Sequence, residues 1–127
     1  MLLLDSQTAI WAMSDSPRLG AAAKQLITDT ASAHISVASV WELTIKSMLG
    51  KLKIPVDFAA QAAAQGFEPL DISADDAEGL REFPELSRHD PFDRLIVSQA
   101  YQHRLTLLTA DGVLLGLGRD FIVDSRK

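Results

Sequence analysis

The chain contains no cysteine, which excludes disulfides, thiolate metal sites and a cysteine nucleophile in one step. It also lacks any apolar stretch near the roughly 18 residues needed to span a bilayer. The opening run "MLLL" meets Asp5 at once, with no basic segment before it and too little length for a secretory leader. A soluble, cytoplasmic protein with no membrane contact is the expectation. Positive charge is scarce as well: 12 Lys and Arg stand against 17 Asp and Glu, for a formal net charge of −5. That balance argues against a general nucleic-acid coat protein, which is normally basic. It leaves a nuclease open, because a cation-binding carboxylate cluster adds negative charge of its own. The basic residues, among them Lys46, Lys51, Lys53, Arg88 and Arg94, form no continuous tract.

What is present is ordinary globular composition, 47% hydrophobic and 23% charged, which argues against large-scale disorder. A chain of 127 residues suits one domain, 1–127, with a sizeable core. No internal repeat or linker is visible. "MLLLD" reads as a short buried strand ended by a polar residue. "SPRLGAAAKQLIT" reads as a helix with Ser16 as N-cap and Pro17 in its first turn. "AHIS" is a second strand. "VASVWELTIKSML" is a helix stopped by Gly50, and "VDFAAQAAAQG" a helix stopped by Gly66. "FEPL" is a short strand, and "SADDAEGLREF" opens with Ser73 and Asp76 as a variant capping box. A helix from about Pro91 to Arg104, the strand "LTLLT" and a last strand near "FIV" complete the pattern. Strands alternating with helices indicate an α/β layer fold with a mostly parallel sheet.

In such a sheet the strands end, and the following helices begin, at one edge. Asp5 ends the first strand, and Asp111 lies two residues past "LTLLT". Glu42 is about six residues beyond "AHIS", within reach of the same edge at about 1.5 Å per helical residue. Asp93 is in the first turn of the helix that leads into "LTLLT", so it too belongs there. Each acid has a plainer reading alone. Asp93 could serve the helix macrodipole, and Asp5 and Asp111 could be turn residues. Glu42 shares a helical row with Ala38, Ile45 and Leu49 and sits between Trp41 and Leu43. A carboxylate there is costly unless satisfied, and one buried ion pair would suffice. Jointly the acids pose a larger problem, since two carboxylates about 5 Å apart repel by about 3 kcal/mol at an effective dielectric of 20. Four on one rim must protonate, pair with bases or bind a hard cation. Oxygen-only ligation suits Mg²⁺ or Mn²⁺; zinc is disfavoured without cysteine or a histidine cluster.

The segments "LLLDSQTAIW", "SVASVWELTIKSMLGKL", "HDPFDRLIVSQA" and "LLTADGVL" resemble the PIN-domain ribonucleases, in particular the VapC-like toxins of type II toxin–antitoxin pairs. The likeness spans nearly the whole chain with the motifs in family order. It implies a PIN-like three-layer sandwich and a Mg²⁺- or Mn²⁺-dependent endoribonuclease. Products would carry 5′-phosphate and 3′-hydroxyl ends. By this resemblance Asp5, Glu42, Asp93 and Asp111 match the four family acids that hold metal. Thr109 matches the small hydroxyl residue that accompanies the last acid, and Ser6, after the first acid, would help orient the site. Asp90 is an additional acid of the "DPFD" subgroup, while Asp71 matches no family ligand. Lys46, Arg88, His89 and Arg94 are candidate contacts to RNA phosphates. A lone histidine ahead of a helix is, however, more often a hydrogen-bonding loop residue. His34 and His103 receive no role, and Trp11 and Trp41 read as core or interface residues. A cognate antitoxin and a homodimer are the implied partners, with Leu49, Leu52 and Ile54 either lining the antitoxin groove or packing in the core.

Three rivals remain distinct from that reading. A phospho-receiver-like binding module would need a rim lysine after a late strand, but the next basic residue after "LTLLTAD" is Arg119. A PIN module without activity would bind without cleaving. A metal-independent ribonuclease would need a histidine-type acid–base pair.

Overall fold

β1 (Leu2–Leu4) is three leucines in a row, all buried, as befits a strand covered on both faces. This strand is the centre of the sheet in a computed structural model that describes residues 1–127. It pairs in parallel with β2 (Ala33–Ser36) on one side and β4 (Thr106–Thr109) on the other, with Leu2 opposite both Ala33 and Thr106. β3 (Phe67–Leu70) adds beyond β2, and β5 (Ile122–Asp124) beyond β4, again in parallel. The order is β3-β2-β1-β4-β5, so the sheet is parallel throughout.

Helices fill the chain between strands: α1 (Ser6–Met13), α2 (Ala21–Asp29), α3 (Val37–Met48), α4 (Phe58–Ala64), α5 (Ala74–Glu78), α6 (Pro91–His103) and α7 (Gly112–Leu115). Two short 3-10 helices, Gly79–Glu82 and Pro84–Leu86, link α5 to α6. Alternation along the strands divides the core in two. Leu2, Leu4 and Leu108 pack with Ala9, Ala23, Leu43, Phe58 and Ala62 from the first four helices. Leu3 and Leu107 pack with Phe83, Leu86, Ile96, Val97 and Leu114 on the opposite face. The result is helix, sheet, helix: the three-layer architecture expected. Each fully buried leucine contributes roughly 1.5–3 kcal/mol through desolvation.

Most expected elements fall where the sequence places them. α3 and α4 end where Gly50 and Gly66 take up φ of 73° and 94°. Ser73 and Asp76 form both bonds of the capping box, so Asp substitutes for Glu there without loss of the reciprocal bond. Two helices escape the sequence reading. α1 follows β1 with no loop, because Asp5 both ends the strand and caps the helix by accepting the Thr8 backbone N–H. α7 is a single turn capped in the same way by Asp111.

One expectation is overturned. Ser16 does not cap α2: its hydroxyl accepts the Arg18 N–H and its carbonyl the Leu19 N–H, closing a turn instead. The Gly20 N–H then pairs with the Ser125 carbonyl, which delays the helix until Ala21. The "SADDAEGLREF" helix is also shorter than its pattern suggests, passing into 3-10 geometry at Gly79.

A buried polar tie holds α6 against the sheet. Gln99 is fully buried; its Oε1 accepts the Ser36 hydroxyl at 2.5 Å and its Nε2 donates to the Asp71 carbonyl at 3.2 Å. Ser36 ends β2 and caps α3 through the Ala38 N–H. His103 Nε2 lies 3.0 Å from the fully buried Asp76 carboxylate, which accounts for that histidine structurally. These bonds tie the second half of α6 to the carboxyl ends of β2 and β3 and to α5.

Candidate active site

Three helix starts meet at the carboxyl edge of the sheet, and each has a polar cap that shapes the site. Asp5 is 6% exposed. Its Oδ1 accepts the Thr8 N–H at 2.8 Å, and its Oδ2 accepts the Thr109 hydroxyl at 2.5 Å across β4. Burial pushes the Asp5 carboxyl above its ordinary value, against the opposing hydrogen bonds from Thr109 and Thr8 and with a further push from Asp111. Thr109 Oγ1 also accepts the Asp111 N–H at 3.0 Å, so one hydroxyl couples two of the acids. Thr109→Val should therefore cost about 1–2 kcal/mol in urea unfolding at pH 8, with Thr109→Ser recovering most of it.

At α6 the cap is Asp90, not Asp93. Asp90 Oδ1 accepts the Phe92 and Asp93 N–H groups at 2.9 and 3.1 Å, with Pro91 in the first turn. Asp93 is thus spared the capping role that its position alone suggested. Its carboxyl is raised to about 7, first by burial and then by the negative charges of Asp90, Asp111, Glu42 and Asp5. Asp111 gives Oδ1 to the N–H groups of Val113 and Leu114 at 2.8 and 3.1 Å. Its Oδ2 lies 3.5 Å from His89 Nε2, which stands 3.2 Å from Asp93 Oδ2.

Glu42, 5% exposed, projects from the second turn of α3. Its Oε1 accepts the Ser6 hydroxyl at 2.6 Å and its Oε2 pairs with Lys46 Nζ at 2.8 Å. Lys46 is held above its ordinary pKa, mainly by that bond. The plainer reading of Glu42 as one half of an ion pair is therefore realised, and Lys46 is not the free phosphate-seeking cation expected. Their i, i+4 spacing was the signal for the pairing.

Asp5, Glu42, Asp93 and Asp111 all line one cleft of about 600 Å³. Ser6 lies in its wall, while Thr109 supports the site from behind. Arg88, His89, Asp90 and Arg94 are not part of that lining. Arg88 is exposed, and Arg94 donates from Nη1 to the Ser87 carbonyl at 3.0 Å. The cleft instead presents Lys51 and Arg126, with Trp11 and Leu52 as apolar wall. Arg126 is held in place by a two-pronged bond to Asp124 at 2.9 Å for each prong. Nothing in local sequence pattern pointed to the chain's penultimate residue. Trp11 packs partly on the core as expected, whereas Trp41 is 60% exposed and sits edge-on to Phe92 at 5.2 Å. Leu52 and Ile54 pack on the core, but Leu49 is 63% exposed. Arg119, the first basic residue after β4, lies over the Phe83 ring at 4.9 Å, so it supplies no rim cation of the receiver type.

Chemically, the rim offers carboxylate oxygens fixed by helix starts and crowded enough to raise one carboxyl, that of Asp93, to about 7. Hard divalent cations are bound by such oxygen sets, and the residues fit that group.

A family model described as PIN domain matches residues 2–118. Ribonuclease VapC22 of Mycobacterium tuberculosis is 31% identical over 112 residues, covering 87% of this chain and 86% of that protein. Among solved structures, a toxin-antitoxin complex from Klebsiella pneumoniae matches with a TM-score of 0.67 at 21% identity, covering 98% of each chain. VapBC2 from Rickettsia felis, bound to a DNA fragment from their promoter, matches at 0.66 and 19% identity, over 96% of this chain and 95% of that one. At those identities the two structures speak to the fold.

Proposed function

This chain belongs to the PIN-domain family, and from that premise we propose that it is a metal-dependent endoribonuclease, the toxin of a type II toxin–antitoxin pair. The observation that carries the reading is the crowding at Asp93, where burial and four neighbouring acids raise one carboxyl to about 7. Such crowding destabilises the fold unless a cation relieves it, and clusters of this kind are characteristic of functional sites. The ribonuclease name of the 31% identical relative supports the same conclusion.

Asp5, Asp93 and Asp111 are assigned to hold Mg²⁺ or Mn²⁺, with Glu42 completing the acidic set. When bound, the cation would supply an activated water and offset charge on the scissile phosphate. The protein's own part is positional. Thr8 and Thr109 fix Asp5, Ser6 and Lys46 fix Glu42, and Asp90 takes the backbone cap so that the Asp93 oxygens stay available. Lys46 also limits the charge on the acidic wall. RNA phosphates are assigned to Lys51 and Arg126 in the cleft, with Arg88 as an outer contact, giving salt-sensitive binding with little base readout. Lys46, His89 and Arg94 are withdrawn from that role because their polar groups face the acids or the backbone.

The partner is a cognate antitoxin, assigned to the same cleft and to the apolar shoulder formed by Leu52 and the exposed Leu49. Homodimerisation is proposed from the family likeness alone. The test is RNA cleavage by the purified chain in EDTA and after Mg²⁺ or Mn²⁺ is restored. Cleavage should stop in chelator and return with either ion; persistence in EDTA would contradict the metal-dependent reading.

A further inference from the structure

His89 stands one residue before the cap of α6 and four before Asp93. Its imidazole folds over the first helical turn, bringing Nε2 to 3.2 Å from Asp93 Oδ2 and 3.5 Å from Asp111 Oδ2. The nitrogen is buried but makes no hydrogen bond; both oxygens are near enough, and neither lies where an N–H would point. A buried polar atom without a partner is costly, and such atoms are rare in folded proteins. An imidazolium that merely neutralised the two acids would aim its N–H at one of them. The orphaned nitrogen instead suits a lone pair directed at a third species.

The distances have the spacing of a coordination shell. One ligand atom from each of His89, Asp93 and Asp111 lies within 4.8 Å of the other two. Neighbouring ligands on an octahedral cation with bonds of about 2.1 Å are roughly 3 Å apart, close to what His89 shows toward both carboxylates. We propose that His89 Nε2 is a ligand of the cation held by Asp93 and Asp111, and that this nitrogen makes the site favour Mn²⁺ over Mg²⁺. The inference rests on the metal-nuclease reading and refines it: four acids alone would make an oxygen-only site without that preference. Imidazole nitrogen is a good donor to transition ions, whereas Mg²⁺ takes oxygen almost exclusively. His89 is thereby a metal-binding residue and not an RNA contact.

The test uses the full-length chain loaded with Mn²⁺ and electron spin-echo spectroscopy to detect directly bound nitrogen, alongside calorimetric titration of Mn²⁺ and Mg²⁺. Wild-type protein should show nitrogen coupled to Mn²⁺, and His89→Gln should lose it. The substitution should weaken Mn²⁺ binding by about tenfold or more while Mg²⁺ affinity changes by less than about threefold. Mn²⁺ bound with no nitrogen coupling, or an ion preference unaltered by the substitution, would overturn the inference and leave the nuclease reading standing. Absence of binding by either ion would sink both. The spectroscopic result is read on the unsubstituted protein, so a poorly folded variant would not protect the proposal.

Discussion

Asp93→Asn is expected to lower RNA cleavage by on the order of a thousandfold while leaving the chain cooperatively folded. The substitution keeps the size and shape of the side chain and removes only its charge. It disturbs no helix start, because the backbone N–H groups at the beginning of α6 are served by Asp90. Loss of activity would then report loss of cation binding, not loss of structure. Asp5→Asn should be similarly inactive but less innocent, since Asp5 accepts one bond from Thr8 and another from Thr109. An amide there can satisfy one of those donors and opposes the other. Asp90→Asn supplies the control: Asn is nearly as good a cap, so cleavage should stay within about tenfold of wild type if Asp90 is structural. Initial rates on RNA, with a mock purification from cells lacking the chain reporting any contaminating nuclease, measure all three. Retention of most activity by Asp93→Asn would remove that residue from the site.

The second large effect is on stability. The folded Asp93 carboxyl is raised from 3.8 to about 7, so the folded state holds its proton more tightly than the unfolded state. That group's stabilisation is complete below about pH 4, fades as pH rises, and is gone above about pH 7. The Asp5 shift has the same sign. The metal-free protein should thus become less stable between pH 5 and pH 8. Asp93 is partly open, with 21% of its side chain exposed, and screening holds the effect to about 1–2 kcal/mol. In a chain of this size that is a melting-temperature drop of about 3–8 °C. Asp93→Asn should remove most of the slope and melt higher than wild type at pH 8. Saturating Mg²⁺ or Mn²⁺ should do the same for the wild type, by about 2.7 kcal/mol at a hundredfold excess over Kd. The gain should shrink at pH 5, where the cation competes with a proton. Thermal melts over this range, with and without metal, decide the matter. A wild-type stability that rises across the window, unchanged in Asp93→Asn, would contradict the proposed crowding.

The elements that sequence pattern exposes best are those with an unambiguous period or stop. The unbroken "LLL" of β1 marks a strand buried on both faces, and Gly50 and Gly66 mark helix ends that the backbone honours with positive φ. From the parallel order it follows that residues after β1 and β4 share a rim, which is why Asp5 and Asp111 could be brought together without coordinates. α1 is hidden because Ile10, Trp11, Ala12 and Met13 are consecutive and all pack toward the core in part, leaving no helical stripe to count. Ser16 misleads because the same hydroxyl that caps a helix also closes a turn. The ion pair of Glu42 with Lys46 was visible as an i, i+4 spacing within one helix, whereas His89 precedes the cap of α6 and its approach to Asp93 had no such signal. What spacing alone does not carry is direction: whether a nitrogen meets a proton acceptor, a phosphate or a cation depends on atoms that only the folded chain brings near. Arg126 enters the cleft through β5 and its bond to Asp124, a tertiary placement with no local signature.

The most direct measurement is the loss of amide signals in a nitrogen–proton NMR spectrum as substoichiometric Mn²⁺ is added to the metal-free chain. If one cation is gripped by acids from distant segments, residues around Asp5, Glu42, Asp93 and Asp111 should broaden together at the first additions. Those of α2 and α4 should persist. Broadening that starts elsewhere, or that affects the four segments no more than the rest of the surface, would contradict the convergence on which the proposed chemistry depends.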